Sequence, residues 1–387
     1  MNIIISEDGI YNPDTCSIQP HEALAFGHAY ASLFGRSVAV GYSSEVCPSA
    51  VYALFSGILS AGANVWNAGR CTMPQLSSVI RKAGCDGGIF VNMSASAKLI
   101  PVHKSGYSLT EAQEQRLIGV INEKSEIDNS CKAQLHDASA FVRLYEEELA
   151  HKAESLEYDG KISISSSNRL ISELCTRLFK GCDKSGMTFS EITFSITADG
   201  RKISAYSPET GFVFYERLVL LCCEDIMEKG SDIYLPYSFP LAAEILAEKY
   251  GRRVHRFNPR TDIVRSIGKT DFLNDAVLLL MRLVKILGEN EKSFAQFISE
   301  LPAFTTSSRF ISVPEKETEL FRKLCGTETS PKEHVAFSGK DKRIIVKPSA
   351  SGRGFTLLAE SYRMETASEL CDMWLTGGDE EIIKSDN

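Results

Sequence analysis

The sequence predicts an α/β protein, three α/β units in succession followed by a C-terminal α+β unit. Three observations carry this expectation. Short apolar runs alternate with stretches of helical length up to residue 300, the pattern of parallel strands covered by crossover helices. One run, Gly87-Gly88-Ile89-Phe90-Val91-Asn92, opens into a serine-bearing loop, as a buried strand does at its ligand-facing end. The length, 387 residues, exceeds what one hydrophobic core usually holds.

In chain order, the first unit reads helix 20–35, strand 37–41, helix 46–61, strand 64–68, helix 73–83 and strand 87–92, then helix 109–122 beyond the serine loop. A Glu- and Ala-rich helix over 139–157 leads into the second unit: strand 161–165, helix 168–180, strand 192–196, a turn at Asp199-Gly200. A hairpin tipped by Pro208-Glu209-Thr210-Gly211 and a helix over 215–229 complete it. The third unit has strand 232–236, helix 241–250, strand 253–257 and helices 271–287 and 293–300. Strand 310–313, helix 315–325, strands 343–347 and 355–361, and helix 365–375 form the last unit, before a frayed acidic tail. The boundaries give domains 1–130, 131–230, 231–305 and 306–387.

The net charge of −8 argues against a general nucleic-acid binder, which needs a basic face. Eleven cysteines, an odd number with no CxxC spacing, predict neither a disulfide framework nor a zinc site and suit a reducing cytoplasm. The N-terminus lacks the basic region and long apolar core of a signal peptide, and no apolar run approaches the roughly 18 residues of a membrane span. No Walker-type or dinucleotide glycine pattern occurs.

The order Val38-Ala39-Val40-Gly41, Gly57-Ile58-Leu59-Ser60-Ala61-Gly62, Asn64-Val65-Trp66-Asn67-Ala68-Gly69 and Gly87 to Ser96 closely resembles the first domain of the α-D-phosphohexomutases, the phosphoglucomutase, phosphomannomutase and phosphoglucosamine mutase family. The resemblance extends in layout over nearly the whole chain. It implies four domains, each lending one loop to an intramolecular phosphoryl transfer: a serine carrier, a Mg²⁺ site, a sugar-reading loop and a phosphate clamp. Such a transfer needs an acceptor, a cation against developing charge, and donors that hold the substrate.

Each loop can be compared with its family form. Where the family has Thr-Ala-Ser-His-Asn-Pro, this chain has Asn92-Met93-Ser94-Ala95-Ser96-Ala97, which makes Ser94 the candidate phosphoryl carrier. Lys98, His103 and Lys104 stand near it, while Tyr11 occupies the place of the family's N-terminal active-site arginine. The three-aspartate metal motif is reduced to Thr197-Ala198-Asp199-Gly200-Arg201-Lys202, and one carboxylate before Gly reads as a turn residue. The sugar-reading Gly-Glu-x-Ser-Gly-His is absent from 260–270, and Gly288 reads as a helix C-cap. The clamp Arg-Pro-Ser-Gly-Thr-Glu-Pro becomes Lys347-Pro348-Ser349-Ala350-Ser351-Gly352-Arg353-Gly354. There Lys347, Ser349, Ser351, Gly352 and Arg353 are the candidate phosphate ligands, or else a polar hairpin turn.

Among lesser signals, His21 and His28 read as surface or boundary histidines, Glu146-Glu147-Glu148 as a solvated helix face, and Leu278 to Met281 as core. The expected function is that of a divergent family member binding a phosphorylated sugar or other small anion, with mutase turnover lost or greatly reduced. No cofactor is expected, and Mg²⁺ enters only if the protein is an active mutase using Ser94. A non-catalytic interaction scaffold is the remaining alternative. No nucleic-acid or membrane partner is expected.

Overall fold

The computed structural model describes residues 4–6, 9–12, 14–15, 17–43, 48–93, 97–109, 111–122, 132–158, 161–179, 192–257, 271–312, 334–339, 342–348 and 354–375. They fall into two compact units, one of residues 1–222 and 261–298, the other of 223–260 and 299–387.

The first unit is built on a sheet of seven strands: β1 (Ile4–Ser6), β2 (Gly9–Tyr11), β3 (Ser37–Tyr42), β4 (Asn64–Arg70), β5 (Gly87–Met93), β6 (Ala97–His103) and β7 (Leu135–Asp137), in the order β1-β2-β6-β5-β3-β4-β7. Strands β5, β3, β4 and β7 run parallel, and β5–β6, β6–β2 and β2–β1 pair antiparallel, so the expected parallel sheet is a mixed one. Strand β6 was not foreseen, because Lys98 and Pro101 interrupt its apolar pattern.

The Gly87-Gly88 pair has a steric reason. A Cβ on Gly87 would lie 2.2 Å from Tyr30 Oη, and one on Gly88 2.7 Å from Ile80 Cδ1 and 2.8 Å from the Ala39 carbonyl oxygen. Helix α1 (Pro20–Phe34) and helix α2 (Pro48–Ser60) cover one face, where Phe26, Tyr30, Leu54 and Ile58 are wholly buried. They approach closely because Gly27 and Gly57 have no side chain: a Cβ would lie 2.6 Å from Leu54 O and 2.0 Å from Leu24 O respectively. Helix α3 (Met73–Ala83) packs on the other face through Leu76, Val79 and Ile80. It is opened by a capping box between Thr72 and Gln75 and closed by Gly84 in the left-handed region, φ 66°. Helix α4 (Glu111–Asn122) adds Leu117 and Ile121 to the α1–α2 core, and α5 (Ser139–Ala153) adds Val142 to the α3 side.

The same unit holds a second sheet, β11-β10-β9-β8, of β8 (Ile162–Ser166), β9 (Ile192–Ile196), β10 (Ile203–Ser207) and β11 (Gly211–Val213). Strands β8 and β9 are parallel, and the two hairpins that follow are those expected at Asp199-Gly200 and Pro208-Glu209. Helices α6 (Arg169–Leu178) and α7 (Tyr215–Glu228) match the expected ones to within two residues.

In the second unit a parallel pair, β12 (Ile233–Pro236) and β13 (Val254–Phe257), is linked by α8 (Ala242–Tyr250). The expected helix at 271–287 belongs instead to the first unit and is a short 3₁₀ turn, Asp271–Leu273, followed by α9 (Ala276–Glu289). Asp275 caps α9, its Oδ1 accepting from Val277 N and Leu278 N at 3.1 Å each. Gly288 is not a C-cap: it lies inside α9, where a Cβ would fall 1.7 Å from the Glu157 carbonyl oxygen. A short helix, α10 (Phe294–Glu300), follows.

The C-terminal antiparallel sheet β14-β17-β16-β15 consists of β14 (Thr305–Ser312), β15 (His334–Ser338), β16 (Lys342–Pro348) and β17 (Gly354–Ser361). Helix α11 (Met364–Leu375) seals one face with Leu370 and Cys371 against Ile344, Val346, Leu357 and Ala359. Arg343 and Glu360 form a buried ion pair at 2.5 Å, exposed by only 3% and 4%. Arg343 also donates to Phe239 O and Glu360 accepts from Leu241 N, so the pair anchors the β12–α8 connection to this sheet. Strand β14 begins five residues earlier than expected, β15 was unforeseen, and the expected helix 315–325 and acidic tail lie outside the described residues. No helix among the described residues is long and apolar enough to cross a membrane.

Candidate functional site

Ser94 lies in the connection 94–96, and Ser349, Ser351, Gly352 and Arg353 in the connection 349–353; all five are outside the described residues. What is described is the framework on either side. Strands β5 and β6 pair to their ends, Met93 opposite Ala97, so the serine connection joins two paired strand ends. Ala97 is anchored on both backbone groups, its N–H donating to Ser17 Oγ and its carbonyl accepting from Ile18 N. Strands β16 and β17 likewise pair Lys347 with Thr356 and Pro348 with Phe355, placing Lys347 at the foot of the clamp connection.

Of the basic residues expected beside Ser94, only Lys98, opposite Asn92, adjoins the serine connection; His103 pairs with Gly87 at the other end of β6, the whole strand's length away, and Lys104 follows it. Lys98 Nζ stands 4.7 Å from the centre of the Tyr11 ring, a cation–π contact with the residue at the family's arginine position. This follows from the pairing of Ile10 with Leu99, which sets β2 beside β6. His103 Nδ1 is 2.9 Å from Ser105 Oγ, and burial, with Lys104 beside it, lowers its pKa.

The turn between β9 and β10 is described fully. Asp199 Oδ1 accepts from Thr197 Oγ1 at 2.6 Å and from Arg201 N at 3.1 Å, and Oδ2 accepts from Arg201 Nε at 2.6 Å. Burial works to raise the Asp199 pKa, but the Arg201 charge and these hydrogen bonds outweigh it and hold the carboxyl below the usual range. Gly200, at φ 81°, completes the turn, its N–H donating to Thr197 O. The backbone carbonyls are also engaged: Ala198 O accepts from Asn168 Nδ2, Asp199 O from Met73 N and Gly200 O from Ala276 N. Residues 198–200 therefore occupy the amino ends of α3 and α9, and the only carboxylate in the turn is already saturated.

A divalent hard cation requires several oxygen ligands with lone pairs to spare. This turn offers one carboxylate, locked to a guanidinium, so its residues do not fit Mg²⁺. Among the described residues no group of three or more His, Cys, Asp or Glu side chains is disposed to hold a metal ion. The interval 258–270, the place of a sugar-reading loop in the family, lies outside the described residues.

Three contacts join elements far apart in the sequence. Glu146 is not a solvated residue: it accepts from Gln75 Nε2 at 2.9 Å and from Arg177 Nη2 at 2.7 Å, joining α5 to α3 and α6. His28 Nδ1 meets Ser60 Oγ at 3.0 Å between α1 and α2. Asp275 is buried against Tyr145, whose hydroxyl donates to Asp275 Oδ2 at 2.7 Å. An Asp directly before an apolar helical run is an N-cap signal, so this last role was readable in principle.

Residues 7–128 match the family model described as phosphoglucomutase/phosphomannomutase, alpha/beta/alpha domain I. A phosphoglucosamine mutase of Oceanobacillus iheyensis is 19% identical over 382 residues, an alignment covering 83% of this chain and 84% of that protein. Among solved structures, a phosphoglucomutase/phosphomannomutase family protein from Burkholderia thailandensis superposes with a TM-score of 0.70 at 15% identity, over 96% of this chain and 95% of that one. The Aspergillus fumigatus N-acetylphosphoglucosamine mutase, solved with GlcNAc-6P and magnesium, has a TM-score of 0.53 at 12% identity, over 88% of this chain and 76% of that one. At such identities the structural likeness is one of fold.

Proposed function

The chain belongs to the α-D-phosphohexomutase superfamily, and from that premise we propose that it binds a phosphorylated sugar or another small anion with mutase turnover lost or greatly reduced. The observation that carries this reading is the state of Asp199. Its carboxylate is neutralised by Arg201 and accepts a hydrogen bond from Thr197, and the turn's carbonyls cap two helices, where the family's chemistry needs three free carboxylates around a cation. Without a cation, charge developing on a transferred phosphoryl group has no counterpart at this turn. Ser94 is then a hydroxyl without the activation that phosphoryl transfer requires. Anion binding rests on the Lys347–Gly354 segment, where Lys347 and Arg353 supply charge and Ser349, Ser351 and Gly352 supply donors.

The test has two arms. Interconversion of glucose, mannose and glucosamine 1- and 6-phosphates is assayed with Mg²⁺ and a bisphosphate activator. No turnover above background is expected, and robust turnover abolished by Ser94→Ala would establish an active mutase instead. Hexose phosphates are expected to raise the melting temperature by mass action, and Arg353→Ala to remove most of that shift. Absence of any shift at millimolar ligand would leave an interaction scaffold as the better account.

A further inference from the structure

The first unit contains a cavity of about 250 Å³ bounded by α3, α5 and the start of α9. At ~30 Å³ per water this is room for roughly eight waters, or for one small organic molecule. Its lining includes the buried residues Ser78, Tyr145 and Asp275, along with Arg81, Lys152 and Asp271. Arg81 and Lys152 are exposed and form no ion pair among the described residues. Asp271, half-buried, interacts with both cations only at longer range. Lys82, also in the lining, is already matched to Glu148 at 2.6 Å. Gly106, at φ 85°, makes room for the guanidinium: a Cβ there would sit 2.7 Å from Arg81 Nη1.

We propose that this cavity is a binding site for a small oxyanion, a phosphate or carboxylate head held by Arg81 and Lys152. Arg81 and Lys152, neither ion-paired among the described residues, line a concavity with two carboxylates outside the Lys82–Glu148 pair: Asp271, which the two cations reach only at longer range, and Asp275, whose oxygens are taken by the Tyr145 hydroxyl and the amides of Val277 and Leu278. Arginine offers a two-pronged donor to a tetrahedral or planar oxyanion, and lysine a mobile point charge. Hydroxyls on the bound molecule would find Ser78 in the lining, whereas the Tyr145 hydroxyl is already donated to Asp275. The site is separate in sequence from the Lys347–Gly354 segment, so each can be removed without the other.

The experiment titrates the full chain calorimetrically with inorganic phosphate at low ionic strength. An Arg353→Ala background removes the arginine of the other candidate segment. Binding is expected to persist in that background and to weaken at least ten-fold on adding Arg81→Gln and Lys152→Gln, two exposed positions where glutamine leaves the fold intact by circular dichroism. Asp271→Asn is expected to tighten binding several-fold and to steepen nothing but the affinity. Binding that survives the double substitution, no binding in the Arg353→Ala background at 10 mM phosphate (roughly ten times a millimolar Kd), or weaker binding in Asp271→Asn would each overturn the proposal.

Discussion

Two aspartates with opposite electrostatics set the residue scale. Burial, the largest influence on Asp275, raises its pKa to about 6, against the pull of Tyr145 and the amides of Leu278 and Val277. Between about pH 4 and pH 6 the native protein therefore keeps a proton that the unfolded chain has released, and stability falls as pH rises through that window. Asp275→Asn keeps an acceptor for the cap and has no proton to lose. It should flatten the decline of melting temperature across that range and stabilise the protein by about 1–3 kcal/mol at pH 7. Asp275→Ala should instead cost about 1–2 kcal/mol by exposing the helix amides and orphaning the Tyr145 hydroxyl. Asp199 behaves the other way. Its carboxyl is held below the usual range, so its contribution is present at neutral pH and is lost only as pH falls through the lowered value. Asp199→Ala should lower the melting temperature yet leave the phosphate-induced shift unchanged, and thermal scans with and without phosphate read both effects.

At the scale of elements, the α1–α2 crossing is the most demanding contact. A methyl on Gly57 would meet a backbone oxygen at 2.0 Å, and backbone cannot rotate away as a side chain can. Gly57→Ala should cost at least the ~1–3 kcal/mol typical of overpacking, measured as a shift in urea midpoint at constant slope. Gly69, with nothing within 4 Å of its would-be Cβ, lacks that clash and pays only for its φ of 74°. Among the elements legible in the sequence, β3 and β5 are buried on both faces, Val38, Val40, Ile89 and Val91 on one side and Ala39 and Phe90 on the other, and so read as continuous apolar runs, while α3 turns Leu76, Val79 and Ile80 to a single core. Strand β6 was hidden because Pro101 and Lys98 break the period, and Gly288 was misread because its reason is the chain at Glu157, far away in sequence. That the turn at 197–202 carries a single carboxylate was legible in the sequence. That Arg201 and Thr197 would close on it was not, since it depends on the geometry of the hairpin.

On the scale of the whole molecule, chemistry of the cysteines reports on folding. Cys71, Cys85, Cys175, Cys222, Cys223 and Cys371 form no disulfide and are buried, and burial pushes the Cys71 thiol up to about 12 and that of Cys85 to about 11. Since the thiolate is the reactive form, these six should resist a maleimide at pH 7 in the native protein and react once it is unfolded. Peptide mapping after brief labelling reads this directly, and early modification of Cys71 would show that its surroundings open. The buried Arg343–Glu360 pair makes a matching demand on the second unit. Glu360→Ala leaves a buried guanidinium without its carboxylate and should destabilise by about 3–5 kcal/mol. The overall fold was readable because strand and helix periodicity is spread over hundreds of residues. The residues proposed to bind an anion are few and polar, so no periodicity marks them, and Arg81 and Lys152 line one cavity only because α3 and α5 pack side by side.

The turn at 198–200 has a kinetic consequence. Because its carbonyls hold the amides of Met73 and Ala276 together, neither helix start can fray without breaking a bond that belongs to the same three residues. Hydrogen exchange at those two amides should then proceed through one shared opening, with similar free energies despite their distance in the chain. A change that loosens the turn, such as Gly200→Val at φ 81°, should speed exchange at both by a common factor, whereas Thr72→Ala, which removes a cap on α3 alone, should speed it mainly at the first.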